Sequence, residues 1–229
     1  MKLMNNIDKE EKKLIRKMFW RSGAMYASVN PVTMGGAGFC YAMIPFINHF
    51  YKNDEKKRRE ALARHVSYFS TTVPMASFVM GIAGSMEKEN SEKPDFDANA
   101  ISSIKTSLMG PLAGIGDSFI WGTLRILATG VGTSLALQGS ILGPILFLLV
   151  FNVPSFILRY VLVYAGYKFG SDFITSAEES GVMDLISKAA SILGLTVAGA
   201  MTAEMVYMTV PIAIGSGESA TTVQAIIDG

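Results

Sequence analysis

Five residues carry charge or hydrogen-bonding capacity where the chain is otherwise apolar: Asp117, Ser118, Trp121, Arg125 and Glu204. The first four lie in or just after Met109-Gly110-Pro111-Leu112-Ala113-Gly114-Ile115-Gly116-Asp117-Ser118-Phe119-Ile120-Trp121-Gly122, which sets four glycines, a proline and a carboxylate in hydrophobic surroundings. An ionised carboxylate in hydrocarbon is costly and, where it occurs, is usually functional. Gly and Pro disfavour helix interiors, and hydrocarbon tolerates irregular backbone only inside protein or against a cavity. Gly110, Pro111, Gly114 and Gly116 therefore read as a helix-break motif, with Asp117 or Ser118 as N-cap of the half-helix that follows. Helical spacing puts Asp117, Trp121 and Arg125 on one stripe, the two charges about 12 Å apart and too far to pair. Two polar ends with an indole between them suit a sugar; they equally suit two membrane charges, each paired elsewhere. Glu204 interrupts a run otherwise uncharged from Ala189 to Gly217. It reads either as a pathway carboxylate or as an ion-pair partner of Arg125 or Arg159.

Other chemistries lack their residues. Gly114-Ile115-Gly116-Asp117 has no following Gly-Lys-Ser/Thr, and Phe119 occupies the third glycine position of a dinucleotide fingerprint. There is no Ser/His/Asp set, no paired-carboxylate signature and no metal-ligand spacing, so neither catalytic residues nor a cofactor nor a metal is expected. His49 and His65 each border a charged block without a partner constellation. A single cysteine, Cys40, excludes an intrachain disulfide. The net charge of +1 gives no nucleic-acid footprint.

The elements that must position these residues are membrane-like. Half of the 229 residues are hydrophobic and 17% are charged, against about 25% charged in soluble domains; mean hydropathy is +0.34. Residues 7–21 form an amphipathic pattern, with Ile7, Leu14, Ile15 and Met18 at helical spacing among lysines and Trp20 at the end, which suits a helix lying on a membrane surface. Ser22 to Asn48 has no formal charge but holds Asn30-Pro31, Gly35-Gly36 and Pro45. Thirteen of the twenty Lys/Arg residues lie in the first 64 positions and flank this segment. The positive-inside rule places both flanks in the cytoplasm, so the segment reads as two half-helices or a re-entrant hairpin. Lys52 to His65 reads as a charged helix, Val66 to Met86 as a second apolar block and Glu87 to Asp97 as an acidic connector. Ile126 to Leu158 is apolar but interrupted at Gly139, Gly143-Pro144 and Asn152-Val153-Pro154. The fold expected is all-α: an integral membrane protein with broken or re-entrant helices and an N-terminal amphipathic interfacial helix. Residues 1–21 form that helix, and residues 22–229 form one membrane domain.

Three stretches are similar to one known family. Gly38-Phe39-Cys40-Tyr41-Ala42-Met43-Ile44-Pro45 with Tyr51, the block from Arg64-His65 through Phe69-Ser70-Thr71 to Met80-Gly81-Ile82, and Lys105 to Gly122 resemble the IID subunit of the mannose/fructose/sorbose family of the bacterial phosphoenolpyruvate-dependent sugar phosphotransferase system. The departures are Ser70 where the family has Asn, Pro74 about one position late, and Leu127-Ala128 where a proline usually follows the arginine. Family members continue into a further hydrophobic C-terminal segment, which this chain is read as lacking. The resemblance implies a multi-pass subunit of the bacterial inner membrane with a cytoplasmic N-terminus. It pairs with a IIC subunit, in trimers of such pairs, among membrane lipid. It helps carry a hexose or amino sugar that cytoplasmic IIA and IIB components phosphorylate, and it is not itself an enzyme. The cationic 52–65 block is a docking face for IIB on this reading. The competing reading is a non-transporting membrane scaffold that stabilises a partner permease.

Overall fold

A computed structural model describes residues 7–177 and, beyond them, only a few separate positions. Seven α-helices occupy the first part: α1 (Lys9–Ser22), α2 (Gly36–Phe50), α3 (Glu55–Val66), α4 (Val73–Glu92), α5 (Asn99–Gly116), α6 (Arg125–Leu137) and α7 (Leu142–Ala177). A π-helical segment, Asp117–Leu124, joins α5 to α6. Past them the description includes one two-residue antiparallel pair, Ala213–Ile214 with Thr221–Thr222.

α1 begins at a capping box, in which Asp8 accepts from the Glu10 backbone and Glu11 reaches back to the Asp8 N–H, satisfying donors that helix geometry leaves open. It buries Leu14, Ile15, Met18 and Phe19 inside the protein. The chain then turns through residues 23–35 and returns along α2, so that His49 at the end of α2 lies 3.8 Å from Glu10 at the start of α1. The reversal expected for residues 22–48 is therefore present, but it is formed by α1 against α2 across an irregular turn, not by two half-helices within the segment. Asp54 caps α3, and Pro74 sits in the first turn of α4, where its missing N–H costs nothing.

α4 is the axis of the body and is buried along most of its length. It runs parallel to the second half of α7 at very short range. A Cβ added at Gly81 would overlap the Val163 carbonyl, one at Gly166 the Phe78 carbonyl, and one at Gly170 the Ser85 hydroxyl. Gly81 and Ser85 on α4 thus face Gly166 and Gly170 on α7, a small-xxx-small crossing of the kind that lets helix backbones approach.

Among the described residues, two helices are long and apolar enough to cross a membrane, Asn99–Leu137 and Leu142–Gly170. They form one long hairpin that closes at Gln138–Ile141, with Gly139 in the left-handed conformation the turn requires. The near half packs in the body. The far half, residues 117–155, projects from it with Ile126, Leu127, Leu137, Ile141, Leu148 and Val153 exposed. Pro144 and Pro154 interrupt neither the pattern nor the helix, since α7 runs through both.

Candidate functional site

The glycine-rich motif does not split the chain into half-helices. Gly116, Asp117, Leu124 and Arg125 all have helical dihedrals, and the helix continues through residues 99–137 with a change of winding at Asp117–Leu124. The Arg125 N–H reaches back five residues to Ile120 O. π segments of this kind concentrate at functional sites. Asp117 and Ser118 are accordingly interior residues and not the expected N-caps. Ser118 Oγ donates to Gly114 O at 2.9 Å, and Thr72 Oγ1, at the entrance to α4, donates to Asp117 Oδ1 at 2.6 Å. Gly116 is what permits that approach, because a Cβ there would strike Thr72 and Met75. Gly110, by contrast, has open space beside it.

Trp121 and Arg125 remain together, the Arg125 guanidinium 5.4 Å from the centre of the indole. Asp117 is held by Thr72 of the α4 entrance. Trp121 also meets Phe151 of α7 at 6.0 Å. Between them lies a cleft of about 190 Å³ bounded by Thr72, Pro74, Trp121, Asn152, Ser155 and Arg159. Arg159 donates to Ser22 Oγ at 2.8 Å and to Phe19 O at 3.3 Å, and so ties α7 to the end of α1. The cleft sits at the foot of the projecting hairpin. Glu204 lies outside the described residues.

A second polar constellation was not foreseen. Glu87, expected in an acidic connector, is instead a fully buried residue of α4. His65 Nε2 lies 2.8 Å from Glu87 Oε1, and Tyr51 OH donates to Glu87 Oε2 at 2.5 Å. Arg64 Nε is 3.1 Å from Oε1, at ion-pair distance but outside hydrogen-bond alignment. Asn90 donates to the Tyr51 hydroxyl at 2.7 Å. Burial alone would raise the Glu87 pKa; the His65 hydrogen bond, the Arg64 guanidinium and the Tyr51 hydroxyl outweigh it and hold the carboxyl below its ordinary value. Burial pushes the His65 imidazole below its ordinary value, against the Glu87 carboxylate beside it, which pulls it up. Burial and the adjacent carboxylate push the Tyr51 phenol up. One turn away, Lys105 of α5 is buried beneath the end of α3, with Nζ 3.2 Å from His65 O and 3.0 Å from Ser67 Oγ, and over the Phe39 ring at 4.8 Å. It caps the α3 carbonyls and meets the negative end of that helix. This cluster joins α2, α3, α4 and α5. It is a tertiary lock. Tyr51, Arg64, His65 and Lys105 stand in the stretches that carry the family resemblance, but nothing in their spacing joins them to Glu87. Among the described residues no group of His, Cys, Asp or Glu is placed to hold a metal ion.

The sequence matches the PTS system mannose/fructose/sorbose family IID component over residues 9–229. The chain belongs to that family. Relatives of this IID chain include the mannose-specific EIID component of Escherichia coli K12, 36% identical over 228 residues and covering 95% of this chain and 80% of the relative. The sorbose-specific EIID component of Klebsiella pneumoniae is 37% identical, with 96% and 83% covered, and the fructose permease IID component of Bacillus subtilis 36%, with 96% and 82% covered. The fold is similar to a chain in the cryo-electron microscopy structure of the mannose transporter ManYZ with microcin E492, at a TM-score of 0.80 and 34% identity over 97% of this chain and 82% of that one. The all-α membrane fold and the role as a IID component of a sugar phosphotransferase permease follow.

Proposed function

We propose that this IID chain forms half of the membrane frame through which a hexose or amino sugar is carried inward, paired with a IIC subunit in the bacterial inner membrane. Phosphoryl transfer belongs to the IIA and IIB components, and the IID chain supplies no catalytic group. The observation that carries this reading is the hairpin: two apolar arms project from a polar-locked body with their large side chains uncovered, in a chain whose relatives are permease components. The N-terminal body lies on the cytoplasmic side. There the exposed flank of α3, with Lys56 and the Glu55-paired Arg58 and Arg59, faces the soluble components. The IIC–IID pairs assemble as trimers.

The cleft at the hairpin foot is the pathway-facing surface. At about 190 Å³ it is smaller than the roughly 300–1,000 Å³ that encloses a small molecule, so it supplies one wall and the IIC subunit the other. Trp121 offers an indole face, Asn152 and Ser155 offer polar edges, and Asp117 holds the π segment in place through Thr72. Glu204 remains a candidate for the same pathway.

Co-expression with the adjacent IIC subunit, followed by uptake of labelled sugars, tests the whole reading; absence of uptake for every hexose and amino sugar, with the complex assembled, refutes it. Within that assay, Trp121→Ala lowers uptake about tenfold or more with IIC still bound. Asp117→Asn, which keeps an oxygen for Thr72, costs about 1 kcal/mol of local stability and leaves uptake within about fivefold. Unchanged uptake in Trp121→Ala would favour the scaffold reading instead.

A further inference from the structure

α1 turns its apolar face inward, against α2, α4 and α7, so a membrane cannot be meeting that face. The opposite face is left outside. At about 100° per residue, Lys9, Lys13, Arg16, Lys17 and Trp20 fall within about 100° of arc, and all five are exposed. Among the described residues none of these four cations is in an ion pair. Glu10 and Glu11 lie off the arc, near His49 and Lys88 respectively.

The position of this face matters as much as its charge. Trp20, 66% exposed, lies 5.7 Å from Phe156 of α7. Phe156 belongs, with Val153 and Ile157, to the exposed apolar flank of the hairpin. Val29 and Val32, in the turn after α1, are also exposed, and Arg21 stacks on the exposed Tyr41 at 4.8 Å. Aromatic rings, aliphatic tips and cations therefore converge where the apolar arms leave the body. Trp and Tyr settle at the headgroup level of a bilayer, and long cationic side chains beside them reach phosphate.

We infer that the outward face of α1 is a docking surface for anionic phospholipid headgroups, with Trp20 seated at headgroup level and Lys13, Arg16 and Lys17 on the phosphates. This rests on the membrane reading above and adds the chemistry of the leaflet to it. An acidic protein would answer the cations but would leave Trp20 and its contact with the apolar flank of α7 without a role.

The test uses the full chain with its IIC partner in phosphatidylcholine vesicles carrying spin-labelled phosphatidylglycerol or spin-labelled phosphatidylcholine. The complex selects phosphatidylglycerol. Selectivity falls about fivefold for each of Lys13→Gln, Arg16→Gln and Lys17→Gln and weakens with salt. Acyl chains brominated near the headgroup quench the fluorescence that Trp20→Phe removes. Equal association of the two lipids, a triple variant with undiminished selectivity, or Trp20 emission untouched by bromine overturns the inference. So does a triple variant that loses binding to a purified IIB component while keeping its lipid preference. Sugar uptake is measured separately in the same vesicles, so failure of the permease reading is distinguishable from failure of the lipid surface.

Discussion

Glu87→Leu destabilises the IID body by about 3–5 kcal/mol, the cost of removing one member of a buried, hydrogen-bonded ion pair. The substitution strands Arg64, His65 and Tyr51 together, because all three converge on this carboxylate. At about 2–4 °C per kcal/mol for a chain of this size, thermal unfolding of the purified protein should move down by roughly 6–20 °C. Glu87→Gln keeps the shape and part of the hydrogen bonding and should lose less. An unfolding temperature unchanged by Glu87→Leu would show that the cluster contributes nothing to the fold. The pH dependence has a definite sign. Both Glu87 and His65 are held below their ordinary values in the folded protein. On acidification the unfolded chain therefore takes up protons that the folded one refuses, and stability declines. The decline starts near pH 6.5 as His65 of the unfolded chain titrates, and deepens near pH 4.3 with Glu87.

Gly81→Leu forces α4 away from α7. Overfilling a packed interface typically costs about 1–3 kcal/mol and occasionally more, and here the obstruction is the Val163 carbonyl and the Tyr167 amide, not the yielding end of a side chain. We expect Gly81→Leu and Gly166→Ala each to lower the unfolding temperature and to open the α4–α7 seam to protease, with non-additive effects in combination because the two sites share one crossing. Gly110→Ala is the control. Nothing lies within contact of its added methyl, and a helix gains from exchanging Gly for Ala. If Gly110→Ala proved as damaging as Gly81→Leu, the glycine-rich motif, and not the crossing, would be the sensitive element.

What was legible in the sequence was local. The alternation of Leu14, Ile15 and Met18 with lysines announced a helix over 7–21, and the structure has one at Lys9–Ser22. The pattern identified an apolar face but not what covers it, and α2, α4 and α7 cover it where a membrane was expected. The motif at Gly110–Gly122 was legible as special and misread in form. Gly and Pro weaken a helix by their own propensities, but packing of Gly116 on Thr72 and the Thr72–Asp117 hydrogen bond hold the backbone helical and widen it. Helical spacing sets Trp121 and Arg125 on one stripe, and the structure has the guanidinium over the indole, a contact that depends only on neighbours in one helix. The charged Lys88, Glu89 and Glu92 that follow Glu87 predict a polar connector. The burial of Glu87 depends on Tyr51, Arg64 and His65, which no local window contains.

The π segment gives the hairpin an azimuth. An i→i+5 turn holds one residue more than an α turn, and each residue is worth about 100° of rotation about the helix axis. Losing a single residue between Asp117 and Leu124 would therefore shorten the arm by little more than an ångström while swinging Ile126 and Leu127 toward a different neighbour. A one-codon insertion or deletion at this position would act as a steering adjustment. It would let related chains aim the same apolar arm at partners of different shape without altering the body that carries it.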